Sequence, residues 1–125
     1  MRILSIVAAA GALLALAAPS EAAQLASPTI FGGFFQDSAQ CTIGNLGTTP
    51  VTVTVDIVDR DGNVVPTDSH CGVVAPNFLC QVNTGAIAPD AALACTATTS
   101  SSIARLRGSF AILGGHLPIH TTALR

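Results

Sequence analysis

Lysine, tryptophan and tyrosine are missing from this sequence, and its one glutamate, Glu21, lies in an N-terminal apolar stretch. Charged residues make up only 10% of the chain, and the formal net charge is -2. Each shortage removes a class of function. A weakly acidic chain with a few scattered arginines cannot neutralise a run of phosphates, so nucleic acid is not its partner. Without Trp or Tyr there is no exposed ring platform of the kind that stacks on sugars. Beyond residue 22 no apolar run approaches the roughly 20 residues that cross a bilayer as a helix. No segment there repeats its apolar residues with a helical period either. Acid–base chemistry would have to come from six Asp and three His. No motif places them for catalysis, and none points to a cofactor.

What is present begins with a leader. Met1-Arg2 is a short positive start, and Ile3 to Ala18 is almost unbroken apolar sequence. Pro19-Ser20-Glu21-Ala22 then ends the run with small residues at the -3 and -1 positions. This layout predicts a secretory signal over residues 1–22, cleaved after Ala22, and hence a periplasmic or secreted protein. Four cysteines follow: Cys41, Cys71, Cys80 and Cys95. An even number in a small exported domain predicts two disulfides. Their separations of 30, 9 and 15 residues lack the close Cys-x-x-Cys pairs of a four-thiolate zinc site. Three pairings are possible. The preferred one is nested, with Cys71 joined to Cys80 across a short loop and Cys41 joined to Cys95 between distant strands.

The remaining chain reads as strands and turns. Val51, Val53, Val55 and Ile57 alternate with Thr52, Thr54 and Asp56, one side apolar and one wet. That is the pattern of an antiparallel strand in a two-layer fold. Further strands are predicted at residues 39–43, 78–82, 93–98 and 103–113, with another possible over 29–35 and a return at Val64-Val65. The expectation is an all-β, small antiparallel sandwich, immunoglobulin-like or similar, of six to eight strands. Its core is aliphatic, with five Phe as the only large rings. Residues 23–28 form a flexible N-terminal segment, 29–115 the domain, and 116–125 a loosely held tail.

Three groups of residues invite a functional reading. Asp59, Asp61 and Asn63 alternate like the opening of a calcium loop, with Asp56 and Asp68 nearby. An EF-hand counted from Asp59 would need Gly at position 64 and an acid at 70, where Val64 and His70 stand. Asp and Asn before Gly62 are also what a tight hairpin requires, and the turn is the favoured reading. His116 and His120 are four apart, but Pro118 lies between them and no ligand set is nearby. His70 with Asp68 and Ser69 would need convergence in space to act as a triad. Arg105 and Arg107 sit two apart on the outer face of the last strong strand. They could meet an acidic protein partner, or simply keep the sheet soluble.

Two stretches carry a resemblance. Cys41-Thr42-Ile43-Gly44-Asn45-Leu46-Gly47 leads into the Val51 to Val55 strand and then Asp61-Gly62-Asn63-Val64-Val65. Later, Cys95-Thr96-Ala97-Thr98 precedes Ile103-Ala104-Arg105-Leu106-Arg107-Gly108-Ser109-Phe110. Over residues 39–113 the chain is similar to a loose group of small exported bacterial β-sandwich-like proteins of unknown function. The resemblance implies an exported sandwich and assigns no catalytic residue. The leading functional expectation is a non-enzymatic domain acting through protein contacts or structural support. A small-ligand or calcium-binding module at Asp56, Asp59 and Asp61 is the alternative, with a hydrolase behind both.

Overall fold

The computed structural model describes residues 22–125, so the leader segment up to Glu21 lies outside it. Among the described residues there is no helix. There are nine strands: β1 (Ala23–Ala26), β2 (Ser38–Asn45), β3 (Val51–Thr52), β4 (Thr54–Asp59), β5 (Val73–Val74), β6 (Leu79–Asn83), β7 (Leu93–Thr99), β8 (Leu106–Gly114) and β9 (Leu117–Leu124). One sheet has the order β1-β7-β4 and the other β6-β2-β8-β9, with a separate β3-β5 ladder. All pairings are antiparallel. The predicted Val51 to Val58 strand is interrupted once. The Val53 N–H donates to the Gly72 carbonyl at 2.9 Å, in line with the β3–β5 pairing, and from Thr54 the chain pairs with β7 instead, which separates β3 from β4.

Alternation buries one face of β2, β4, β7 and β8. Ala39, Cys41 and Ile43 of β2 and Leu106, Phe110 and Ile112 of β8 meet Val55 and Ile57 of β4 and Leu93, Cys95 and Ala97 of β7 in one core. Cys41 and Cys95 lie on the central strands of the two sheets and form a disulfide through that core. Cys71 and Cys80 form the second disulfide, across nine residues at the outer side of β6. No cysteine is free. Two disulfides in a domain of this size belong to an oxidising compartment. The nested pairing and the all-β sandwich are as the sequence predicts.

Four expectations fail in detail. The tail expected over residues 116–125 is instead β9, paired along β8 from Gly114↔Leu117 to Gly108↔Leu124. The turn that makes this possible is Gly115-His116, with φ of 57° and 66°. Positive φ at both central residues gives the hairpin turn whose twist matches its strands, normally signalled by Asn-Gly or Asp-Gly. The segment expected to be flexible over 23–28 contains β1, held by a ladder from Ala23↔Thr99 to Ala26↔Thr96. The strand expected over 29–35 is reduced to a single bridge, Ile30↔Leu93. Of the five Phe only Phe110 enters the core; Phe31, Phe34, Phe35 and Phe78 are exposed, because they fall in connections and not at inward strand positions.

Candidate functional site

β2 ends at Asn45, between Gly44 and Gly47. Its side chain is fully buried, a costly position for an amide unless every polar atom is matched. Here each is. Nδ2 donates to the carbonyls of Thr49 at 2.8 Å and Val74 at 3.0 Å, and Oδ1 accepts the Gly47 N–H at 2.9 Å. From the other side, the Leu46 N–H donates to the Arg105 carbonyl at 2.9 Å. The loop after β2 is thereby fixed to β5 and to the segment that enters β8.

Between these two segments lies a depression of about 370 Å³. The hydroxyl residues Thr48, Thr49, Ser101 and Ser102 line it together with Arg105, and Leu46 and Val51 supply apolar wall. No carboxylate is among its lining residues. A guanidinium offers a planar fork of donors, and each hydroxyl adds a donor free to rotate. Such a surface suits a carboxylate.

Arg107 lies apart from this depression, on the outward face of β8 opposite Gly44. Its Nη1 donates to the Ala104 carbonyl at 3.1 Å and the Leu106 carbonyl at 2.7 Å. It lines a shallower groove with Thr42, Leu79 and Ser109, and the exposed Leu46 borders both hollows. The expectation that both arginines project from one strand face is therefore corrected. Residues 100–105 are bends and turns and β8 starts at Leu106, with the Leu106 N–H turned onto the Ile103 carbonyl. The two cations flank Leu46 at one end of the sandwich.

The other candidates remain local. Asp59 accepts the Asp61 and Asn63 N–H groups on Oδ1 at 2.9 and 2.8 Å, and the Asn63 side-chain amide bonds Oδ2 at 3.0 Å. These bonds, with that from the Asn63 side chain first, hold its carboxyl below the ordinary carboxylate range. Gly62 takes φ of 84° between them. Asp59 is thus committed to its own turn, while Asp56 lies mid-strand opposite Thr96 and Asp61 is exposed. His116 forms the β8–β9 turn, and His120 Nδ1 lies 3.4 Å from the Phe31 carbonyl. His70 is exposed beside Cys71. Among the described residues no three His, Cys, Asp or Glu side chains gather as a metal site, and no helix is long and apolar enough to cross a membrane.

Asn45 is the residue that sequence reasoning passed over. Its only local signal is a place between two glycines at the end of an apolar strand. Its partners at residues 49 and 74 are visible only in the fold.

No family model matches this chain, and no curated protein does. Among solved structures, the crystal structure of Thermotoga maritima 1070 is similar to it, with a TM-score of 0.48 and 10% identity over 80% of this chain and 88% of that one.

Proposed function

We propose that the protein is an exported, non-enzymatic β-domain, periplasmic or secreted, that works by holding an acidic protein partner at the Arg105/Arg107 end. The observation that carries this reading is the hydroxyl-lined depression with Arg105 at its edge and no carboxylate in its lining. Its loop is held by the buried Asn45, so the donors are positioned before a ligand arrives, which lowers the ordering cost of binding. Arg107 adds a second cation, and the exposed Leu46, Phe78 and Leu79 add apolar contact area near it. The leader over residues 1–22, the oxidised cysteines and the resemblance to small exported bacterial proteins support export.

The test is capture of partners from the native envelope or medium at low and high salt. The double variant Arg105→Ser/Arg107→Ser should keep the fold, because both side chains are exposed and exposed charges contribute little stability. It should capture the acidic partner less well, and the salt dependence of capture should fall with it. Equal capture by both proteins at both salt levels would remove the arginines from the contact.

A further inference from the structure

Most edges of the two principal sheets are closed by the chain itself. Along β4, the Val65 N–H reaches the Ile57 carbonyl and the Asp59 N–H reaches the Asn63 carbonyl. Along β6, the Asp68 N–H reaches the Asn83 carbonyl, the Ser69 hydroxyl reaches the Gln81 carbonyl, and the Cys71–Cys80 disulfide fixes the covering segment. β1 is only four residues long, and its last residue, Ala26, exchanges two 3.0 Å backbone bonds with Arg125. β9 differs. It is an eight-residue edge strand that meets β1 only through the residue after its own end.

The register says which groups on β9 are free. Bonds between Ala39 and Thr84 and between Asn45 and Phe78 show that odd-numbered residues of β2 face β6. Its even-numbered residues therefore bond β8, and in β8 Gly108, Phe110 and Ile112 bond Leu124, Thr122 and His120 of β9. Thr121 and Ala123 are left directing N–H and C=O to the open side, as Arg125 does toward Ala26. Neither has a backbone partner there among the described residues.

The same edge is apolar at its hairpin end. Leu117 is 72% exposed and Ile119 46%, while Phe34 and Phe35 in the facing loop are 78% and 90% exposed. That loop is tied to the hairpin, since Asp37 accepts the Gly115 N–H at 2.7 Å and the Phe35 carbonyl crowds Gly114 beside Ile119.

We infer that β9 is the pairing edge for a second copy of this chain, strand against strand and antiparallel. Leu117–Leu124 contains no Asp, Glu, Lys or Arg, so laying it against itself brings no like charges together. A two-fold axis beside Thr121 offers its free N–H and C=O to the same groups of the other copy and sets Ala123 opposite Ile119. The Ala26–Arg125 bonds block the C-terminal end of the edge, so the second copy must lie toward the hairpin. There it covers Leu117, Ile119 and the Phe34-Phe35 turn, adding the apolar area that an edge ladder alone lacks for a stable dimer. Pro118 supplies no N–H, which keeps the ladder short. Each copy uses its one long open edge, so the assembly closes at two and does not grow.

Sedimentation equilibrium of the mature, disulfide-bonded protein tests this, together with amide exchange at low and high protein concentration. The wild type should form a dimer. At high concentration the Thr121 and Ala123 amides should exchange about tenfold more slowly, because exchange then waits on separation of the strands. Thr121→Pro, which removes an N–H the fold does not use, and Ile119→Lys should both lose the dimer. Arg105→Ser/Arg107→Ser should keep it. A wild type that stays monomeric with both amides unprotected at high concentration would overturn the proposal, as would a dimer that persists in folded Ile119→Lys. The exchange measurement needs no variant, so a failure of Thr121→Pro to fold leaves the test intact.

Discussion

The two ends of the sandwich are built alike and surfaced differently. Each end of β2 has one buried amide side chain that ties distant loops together. At the end where β2 finishes it is Asn45, bonded to residues 47, 49 and 74. Just before β2 begins it is Gln36, whose Nε2 donates to the Ala88 and Ala91 carbonyls at 2.8 and 2.7 Å and whose Oε1 accepts the Gly32 N–H at 2.8 Å. No buried side-chain polar atom is left without a partner among the described residues. Yet the Asn45 end presents arginines and hydroxyls, and the Gln36 end presents Phe34, Phe35 and Leu117. The same physical device supports opposite chemistries because the loops it anchors project outward, where packing does not dictate residue type.

The strongest way to break the comparison is to remove what both ends share. Losing Cys41–Cys95, as in Cys41→Ala/Cys95→Ala, frees a 54-residue separation and should cost about 4 kcal/mol by loop entropy. Losing Cys71–Cys80 frees only nine, should cost about 2.5 kcal/mol, and should loosen β6 and the adjoining arginine end alone. Denaturant melts of the two double variants measure the difference; equal losses would mean that native contacts, not loop length, set the values.

The next test separates the ends. Asn45→Ala and Gln36→Ala should each destabilise by about 2–3 kcal/mol, since each leaves buried backbone groups without partners. Only Asn45→Ala should also weaken capture of an acidic partner, because only it loosens the loop beside Arg105. Comparable loss of capture in Gln36→Ala would show that the two ends are coupled.

The smallest effect is in the acid limb of stability. The Ser38 hydroxyl, the Gly115 N–H and the charge of His116 hold the Asp37 carboxyl below its usual value of 3.8. A carboxylate depressed in the folded state stabilises above its unfolded pKa, and that contribution is lost as pH falls through the folded value. Asp59 behaves likewise at its own turn. Melting temperature should therefore drop as pH falls below about 4, and Asp37→Asn should make the drop shallower. An identical profile for the variant would show that Asp37 contributes nothing to it.

Local pattern carried much of this architecture. The Val/Thr alternation of residues 51–57 placed one face inward, and Asp59-Arg60-Asp61-Gly62-Asn63 specified a hairpin, because strand period and positive φ are properties of neighbours in sequence. The even cysteine count and the poor zinc spacing favoured disulfides, and the nested pairing matched the strand layout. Harder features depended on meetings between distant residues. Gly115-His116 is not the Asn-Gly or Asp-Gly pair that usually signals such a turn, so β9 was legible only once Leu124 was seen buried against the sheet. Arg105 and Arg107 are two apart in sequence, yet β8 begins between them, and its start is set partly by the Leu46 to Arg105 bond. Exposure of four of the five Phe was likewise hidden, since composition counts apolar residues without saying which reach the core.

By itself, then, the sequence determined an all-β, disulfide-bonded domain with wet and dry strand faces, because alternation, turn chemistry and cysteine number act over short range. Tertiary structure alone decided which backbone edge stayed open, which arginine met the hydroxyl-lined hollow, and which two amides anchor the ends. Those outcomes follow from hydrogen bonds and packing between segments far apart in sequence, 55 residues for Gln36 and Ala91 and 78 for Asp37 and Gly115, and no local pattern encodes where such segments meet.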